Sequence, residues 1–229
     1  MATFEDWYKS VPLVTRTYMT LCCLTTLAVQ LEFVSPLQLY LNFNAIWQHY
    51  QFWRLITTFL FFDYFNLNFV FHMFFTRRLE EGSYRGRTGD FFFLWLFCAV
   101  LLVSIQCAMY WIPKAPSLLF LAPSLAFAIV YVWSRRNTNV TMSFLGLFTF
   151  TAPYLPWVIL GFGVMLGQSP IYDLLGLGVG HIYYFLEDVY PNISGRRLLK
   201  TPGFIQSFFD QVEVREARHL GEGEHLHDD

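Results

Sequence analysis

The chain has 229 residues, of which 55% are hydrophobic, 20% aromatic and only 14% charged, with a formal charge of −2. Soluble domains carry about 25% charged residues, and a chain this short cannot enclose so much apolar surface away from water. Composition therefore excludes an ordinary soluble globule and makes lipid the expected solvent, while the net charge says nothing about partners.

The first ten residues hold Glu5 and Asp6, where a cleaved signal peptide would carry basic residues. No small-residue cleavage site follows the first apolar run, so that run is expected to stay as an uncleaved anchor. Six stretches are apolar enough to span: about Val14–Val34, Leu55–Thr76, Phe91–Ile112, Pro116–Trp133, Ala152–Gly167 and Ile171–Val189. The expected fold is thus an all-α polytopic membrane protein with a membrane domain over 1–190 and a solvated tail over 191–229. Pro113 and Pro116 mark one tight turn, and Gly167-Gln-Ser-Pro170 another.

With six spans, thirteen of the fifteen Lys and Arg residues fall on the side of the termini, and only Arg54 and Lys114 fall on the other. Basic residues stay on the cytosolic side, so both termini are expected there. Asn139-Val-Thr141 and Asn192-Ile-Ser194 match the glycosylation pattern, but on this topology they face the cytosol and stay unmodified.

Charges bracket three spans closely. Between Arg16 and Glu32 lie 15 uncharged residues, and between Asp63 and Arg77, and again between Asp173 and Glu187, only 13. At about 1.5 Å per residue, thirteen residues cover about 20 Å of a hydrocarbon core about 30 Å thick. Either the end charges snorkel, or the protein thins the bilayer around it. The second span is also interrupted by Asp63, Asn66, Asn68 and His72, so residues 53–62 are open to a second reading as a membrane-dipping loop.

Several residues are candidates for function. Arg54, beside Trp53, is a costly cation near hydrocarbon that reads as an interfacial anchor or a paired, water-facing group. Gly176 and Gly180 form a G-x-x-x-G face for close helix packing. His181 follows directly, as a packing histidine or a general base for an intramembrane serine. The fourth span offers Ser117 and Ser124, yet neither is flanked by glycine and G-x-S-G occurs nowhere. Cys22, Cys23, Cys98 and Cys107 all lie in apolar stretches without zinc-ligand spacing, and read as small packing residues.

Five stretches then become recognisable: residues 52–57 (FWRLIT), 79–88 (LEEGSYRGRT), 130–137 (VYVWSRRN), 152–157 (APYLPW) and 180–189 (GHIYYFLEDV). Through them the chain resembles the Derlin family, rhomboid-like pseudoproteases of the endoplasmic reticulum, from about Trp7 to Phe204. The resemblance implies a rhomboid-like six-helix bundle without the catalytic serine, acting in retrotranslocation of misfolded proteins for degradation. In that reading Trp53 and Arg54 match the family's Trp-Arg pair, and Gly176 and Gly180 its G-x-x-x-G.

Asp63, Asn66, Asn68 and His72 are expected to line a polar path, although His72 stands where the family has asparagine. The resemblance implies as partners misfolded substrates, the lipid bilayer, a membrane ubiquitin-ligase complex and a cytosolic AAA+ ATPase of the valosin-containing-protein type. Homo- or hetero-oligomers stay open, and no cofactor, metal or nucleic acid is implied. The family's ATPase-docking pattern survives in the tail as Leu220, Gly221, Gly223 and Leu226, with leucine in place of the aromatic. Active intramembrane proteolysis and small-solute transport are the competing functions.

Overall fold

Helices make up most of the computed structural model, which describes residues 8–62, 67–113, 118–144 and 148–212. The first, α1 (Leu13–Gln30), turns Val14, Tyr18, Cys22 and Val29 inward and leaves Leu21, Leu24 and Leu27 exposed. Its Thr17, Thr20 and Thr25 hydroxyls donate to the carbonyls of Leu13, Arg16 and Leu21, each at 2.8 Å. Polar side chains on this apolar helix thus need no water.

Residues 31–62 hold three short helices, α2 (Pro36–Leu39), α3 (Phe43–His49) and α4 (Arg54–Thr57). Ser35 caps α2 through the Leu37 amide, and Asn42 caps α3 through the Ala45 amide at 3.2 Å. Tyr50, in the left-handed region at φ 53°, ends α3.

The expected second span, Leu55–Thr76, is corrected. The long helix there is α5 (Leu67–Ser83), and residues 54–57 form a separate turn. The backbone after Thr57 is engaged elsewhere: Thr58 O accepts from the amides of Leu121 and Ala122 at 3.0 and 3.1 Å, and Phe59 O accepts from the Tyr18 hydroxyl at 2.7 Å. Tertiary hydrogen bonds replace the helix ladder at this point, as the loop reading of 53–62 anticipates.

The next helix, α6 (Thr88–Tyr110), is the one helix among the described residues that is both long and apolar enough to cross a membrane. It is followed by α7 (Ala122–Arg136), in which every residue from Ser124 to Ser134 is buried. A helix buried on all faces sits at the centre of a bundle, and α7 packs most against α9 (Ile171–Tyr184), then α5.

The chain is mostly helical, in keeping with the expected all-α class, but a short hairpin lies between α7 and the following helix. Thr141–Phe144 (β1) and Phe148–Thr151 (β2) pair antiparallel, with Met142 opposite Phe150. Threonine and phenylalanine alternating at period two suit a pleated pair, but four-residue strands leave little trace in an apolar chain.

A 3-10 turn (Ala152–Tyr154) then leads into α8 (Leu155–Met165), of only 11 residues. Gly167, at φ +79°, makes the expected turn into α9. The helical backbone of α9 does not stop at the Glu187 charge. It continues through a π-turn (Phe185–Val189) into α10 (Tyr190–Ser194), which Gly195 closes at φ +68°. Among the helices at the expected spans the shortest are therefore α8, about 17 Å, and α7, about 22 Å for 15 residues, rather than the charge-bracketed sixth.

Part of the stretch expected to be a solvated tail is packed. Thr201 is buried, and residues 203–212 form α11, whose Ile205 and Phe209 are buried with the Phe209 ring 5.2 Å from Phe92. All four cysteines are free, with Cys22 and Cys98 buried, consistent with packing roles.

Candidate functional site: two ends of the bundle and the seam between α7 and α9

Arg54 sits at the start of α4 with 8% exposure. Its Nη1 donates to the carbonyls of Leu37 at 3.0 Å and Tyr40 at 2.9 Å, and its Nε donates to Gln51 Oε1 at 2.7 Å. The guanidinium carbon also lies 5.1 Å from the Tyr40 ring centre. A planar fork of five donors suits several fixed acceptors at once, so Arg54 clamps residues 37–54 into one unit. Trp53 beside it is half exposed.

The seam between α7 and α9 is the most extensive helix contact among the described residues. A Cβ on Gly176 would overlap the Ser124 carbonyl oxygen and lie 2.9 Å from Phe127 Cβ; one on Gly180 would lie 2.7 Å from Ala128 O. Gly178, between them, has nothing within 4 Å. The two outer glycines are what let the α9 backbone lie against α7.

Ser124 and His181 face each other's helices but do not meet. The Ser124 hydroxyl donates to Tyr172 O at 2.8 Å, while His181 Nδ1 is 2.7 Å from the Tyr131 hydroxyl. Arg135 Nε donates to that same tyrosine oxygen at 3.1 Å. The Tyr131 hydroxyl, with one proton and two lone pairs, can take the Arg135 bond and still either donate to Nδ1 or accept from it, so it pairs with either imidazole tautomer. Ser124 and the Tyr131 that holds His181 lie seven residues apart on α7, so among the described residues Ser124 and His181 form no dyad, and Ser117 lies outside them.

At the opposite end from Arg54, three stretches of sequence converge on one cluster that sequence reasoning did not single out. Tyr84 and Tyr183 hydroxyls lie 3.0 Å apart, and Arg136 pairs with Asp188 (2.9 Å) while its guanidinium sits 4.8 Å from the Tyr84 ring centre. Burial pushes the Tyr84 hydroxyl up to about 12, against the lowering pull of Arg136. Beside it Glu80, 2% exposed, accepts from the amides of Val14 and Thr15 at 3.3 and 2.8 Å and from the Thr15 hydroxyl at 2.5 Å. A carboxylate from α5 thus serves as the N-terminal cap of α1, where exposed amides and the helix dipole favour negative charge. The sequence offered little signal for it, because Glu80 stands beside Glu81 and two residues after Arg78, in the charged end of α5.

Of the expected polar path, Asp63 and Asn66 lie outside the described residues; Asn68 and His72 fall on α5, with their side chains outside them. The tail residues Leu220, Gly221, Gly223 and Leu226 are likewise outside. Among the described residues no group of three His, Cys, Asp or Glu side chains is placed to hold a metal.

A family model described as the Der1-like family matches residues 11–203. The chain is 53% identical over 214 residues to a probable derlin-2 homolog of Dictyostelium discoideum, covering 92% of this chain and 84% of that one. It is 52% identical to Derlin-2.1 of Zea mays (96% and 92% covered) and 38% identical to Derlin-1 of Arabidopsis thaliana (90% and 77%).

Proposed function

The chain belongs to the Der1-like family, and from that premise we propose that it is a non-catalytic membrane component of endoplasmic-reticulum-associated degradation. It aids retrotranslocation of misfolded proteins to the cytosol, with both termini cytosolic. The family match across residues 11–203 is the observation that carries this reading. The proposed spans are α1, α5, α6, α7, α8 and α9, arranged as a rhomboid-like six-helix bundle with α7 at its centre.

The mechanism is passive. Even with its 3-10 turn, α8 reaches only about 23 Å, short of a hydrocarbon core about 30 Å thick. A bilayer that thins to meet it lowers the barrier to polar segments, and a cytosolic AAA+ ATPase docked on residues 220–226 supplies the work, beside a membrane ubiquitin ligase. Asp63, Asn66, Asn68 and His72 make the path polar, while Arg54 holds the loop at its non-cytosolic mouth. Intramembrane proteolysis gains no support, because Ser124 and His181 are bonded to other partners.

The test is a client-decay chase in cells lacking their own relatives of this chain. Arg54→Ala and Gly180→Val are expected to lengthen the half-life of a misfolded client. If both variants accumulate, fold and clear the client at the unsubstituted rate, the reading fails.

A further inference from the structure

The packed part of the tail has a face that nothing in the bundle covers. Along α11, Ile205 and Phe209 point inward, while Phe204 and Phe208 on the adjacent face are 74% and 62% exposed. The helix is held at a defined height. Thr201 Oγ1 donates to Asp90 Oδ1 at 2.6 Å, Gln206 Nε2 approaches the same oxygen at 3.4 Å, and Gln206 Cα lies where a Cβ on Gly89 would be 3.3 Å away.

Asp90 is the last charge before residues 91–113, which contain none. Phe92, against which Phe209 packs, is the first of an exposed apolar column on α6 that continues through Leu96 and Val100. The level of α11 is therefore the level at which charge gives way to hydrocarbon.

Just before α11 the chain runs Arg196-Arg197-Leu-Leu-Lys200, and all three cations are exposed. Between α11, α1 and α6 lies a cavity of about 420 Å³ lined by Leu13, Thr17, Tyr18, Phe92, Trp95 and Phe208. Its Thr17 and Tyr18 hydroxyls donate to the carbonyls of Leu13 and Phe59, so the recess is mainly apolar, and Trp95 Nε1 is left as its buried donor without a hydrogen-bond partner. Three cations at headgroup height, two aromatic rings at the boundary and an apolar recess beside them match an anionic phospholipid.

We propose that residues 196–208 form an interfacial anchor that binds anionic phospholipid of the leaflet on the side of the termini. Arg196, Arg197 and Lys200 meet the headgroup, and Phe204 and Phe208 enter the acyl boundary. The Asp90–Thr201 contact carries this anchoring to the start of α6. The proposal requires that α6 cross a bilayer, but not the client role, and its test reads lipid contact rather than degradation.

The full chain, carrying benzoylphenylalanine at Phe208, is irradiated in nanodiscs of phosphatidylcholine with a minor share of phosphatidylserine, and adducts are weighed by mass spectrometry. Lipid adducts are expected, with phosphatidylserine over-represented several-fold relative to its share of the bilayer. The triple variant R196Q/R197Q/K200Q should keep the adducts but lose the preference, since each basic residue near an anionic surface is worth about fivefold. High salt should erase the preference in the unsubstituted chain as well, which covers the case of a variant that does not fold. Adducts mainly to a second copy or to the chain itself, or a phosphatidylserine share equal to its abundance, would overturn the proposal.

Discussion

Removing the carboxylate of Glu80 tests whether this side chain is what fixes the start of α1. In Glu80→Ala, the Val14 and Thr15 amides and the Thr15 hydroxyl lose their acceptor at a site that is 2% exposed. Stranding a buried donor costs about 1–3 kcal/mol, and a negative charge at a partly buried helix N-terminus adds up to ~2 kcal/mol. Allowing for partial repair by water, the loss comes to about 4 kcal/mol. For a chain of this size each kcal/mol moves the thermal midpoint by about 2–4 °C, so Glu80→Ala should fall by roughly 10 °C in detergent.

Glu80→Gln keeps one oxygen acceptor and should lose about half as much. Thr15→Val removes only the hydroxyl donor, and the double variant should show coupling with Glu80, because both changes remove the same bond. The assay is intrinsic-fluorescence unfolding of the purified full chain. A Glu80→Ala midpoint within a degree of the unsubstituted protein would refute the cap, as would strict additivity with Thr15→Val.

Three further outcomes are expected, two from the geometry and one from the tail pattern. Gly180→Val places carbon 2.7 Å from Ala128 O and should destabilise by about 3 kcal/mol or more through overpacking. Gly178→Ala, with open space at the same helix, should be neutral or gain up to ~1 kcal/mol of helix propensity; equal thermal midpoints for the two variants would sink the packing argument. Arg54→Lys keeps the charge but cannot hold two carbonyls and Gln51 Oε1 together, so limited proteolysis should cut faster within 37–54 while the bundle's midpoint changes little. If residues 220–226 dock the ATPase, Leu220→Trp should raise its capture from detergent extract and Leu226→Ala should lower it, since an aromatic anchor is a typical hot spot.

Much of the fold was legible because lipid imposes one rule, that backbone polar groups be satisfied within a helix, and long apolar runs report where this happens. The run from Phe91 onward gave α6 nearly residue for residue. Legibility failed where backbone groups are satisfied by tertiary partners instead. Thr58 and Phe59 look like span residues by hydropathy, yet their carbonyls serve Leu121, Ala122 and Tyr18. The hairpin at 141–151 failed for a related reason, since strand pairing is set by partners four to ten residues apart and not by local polarity. Helix length failed at α9, because counting between charges assumes that a charge ends a helix. Asp188 instead stays within the helical backbone and pairs with Arg136 of α7.

At the candidate sites the same division holds. The glycine pair was legible because close approach has one cheap chemical solution, and both glycines lie against backbone of α7. Arg54 was legible as an anomaly but not as a clamp, because its acceptors are main-chain carbonyls that any sequence supplies. The cluster at the other end shows why several separated stretches can identify a chain when none alone carries a mechanism. Residues 79–88, 130–137 and 180–189 supply, in turn, Tyr84, Arg136 and Asp188 with Tyr183, which touch one another. Each stretch is needed to satisfy the buried polar groups of the others, and a partly satisfied network in low dielectric costs more than none. Those stretches are therefore better understood as one interlocked terminus of the bundle than as separate motifs with separate tasks.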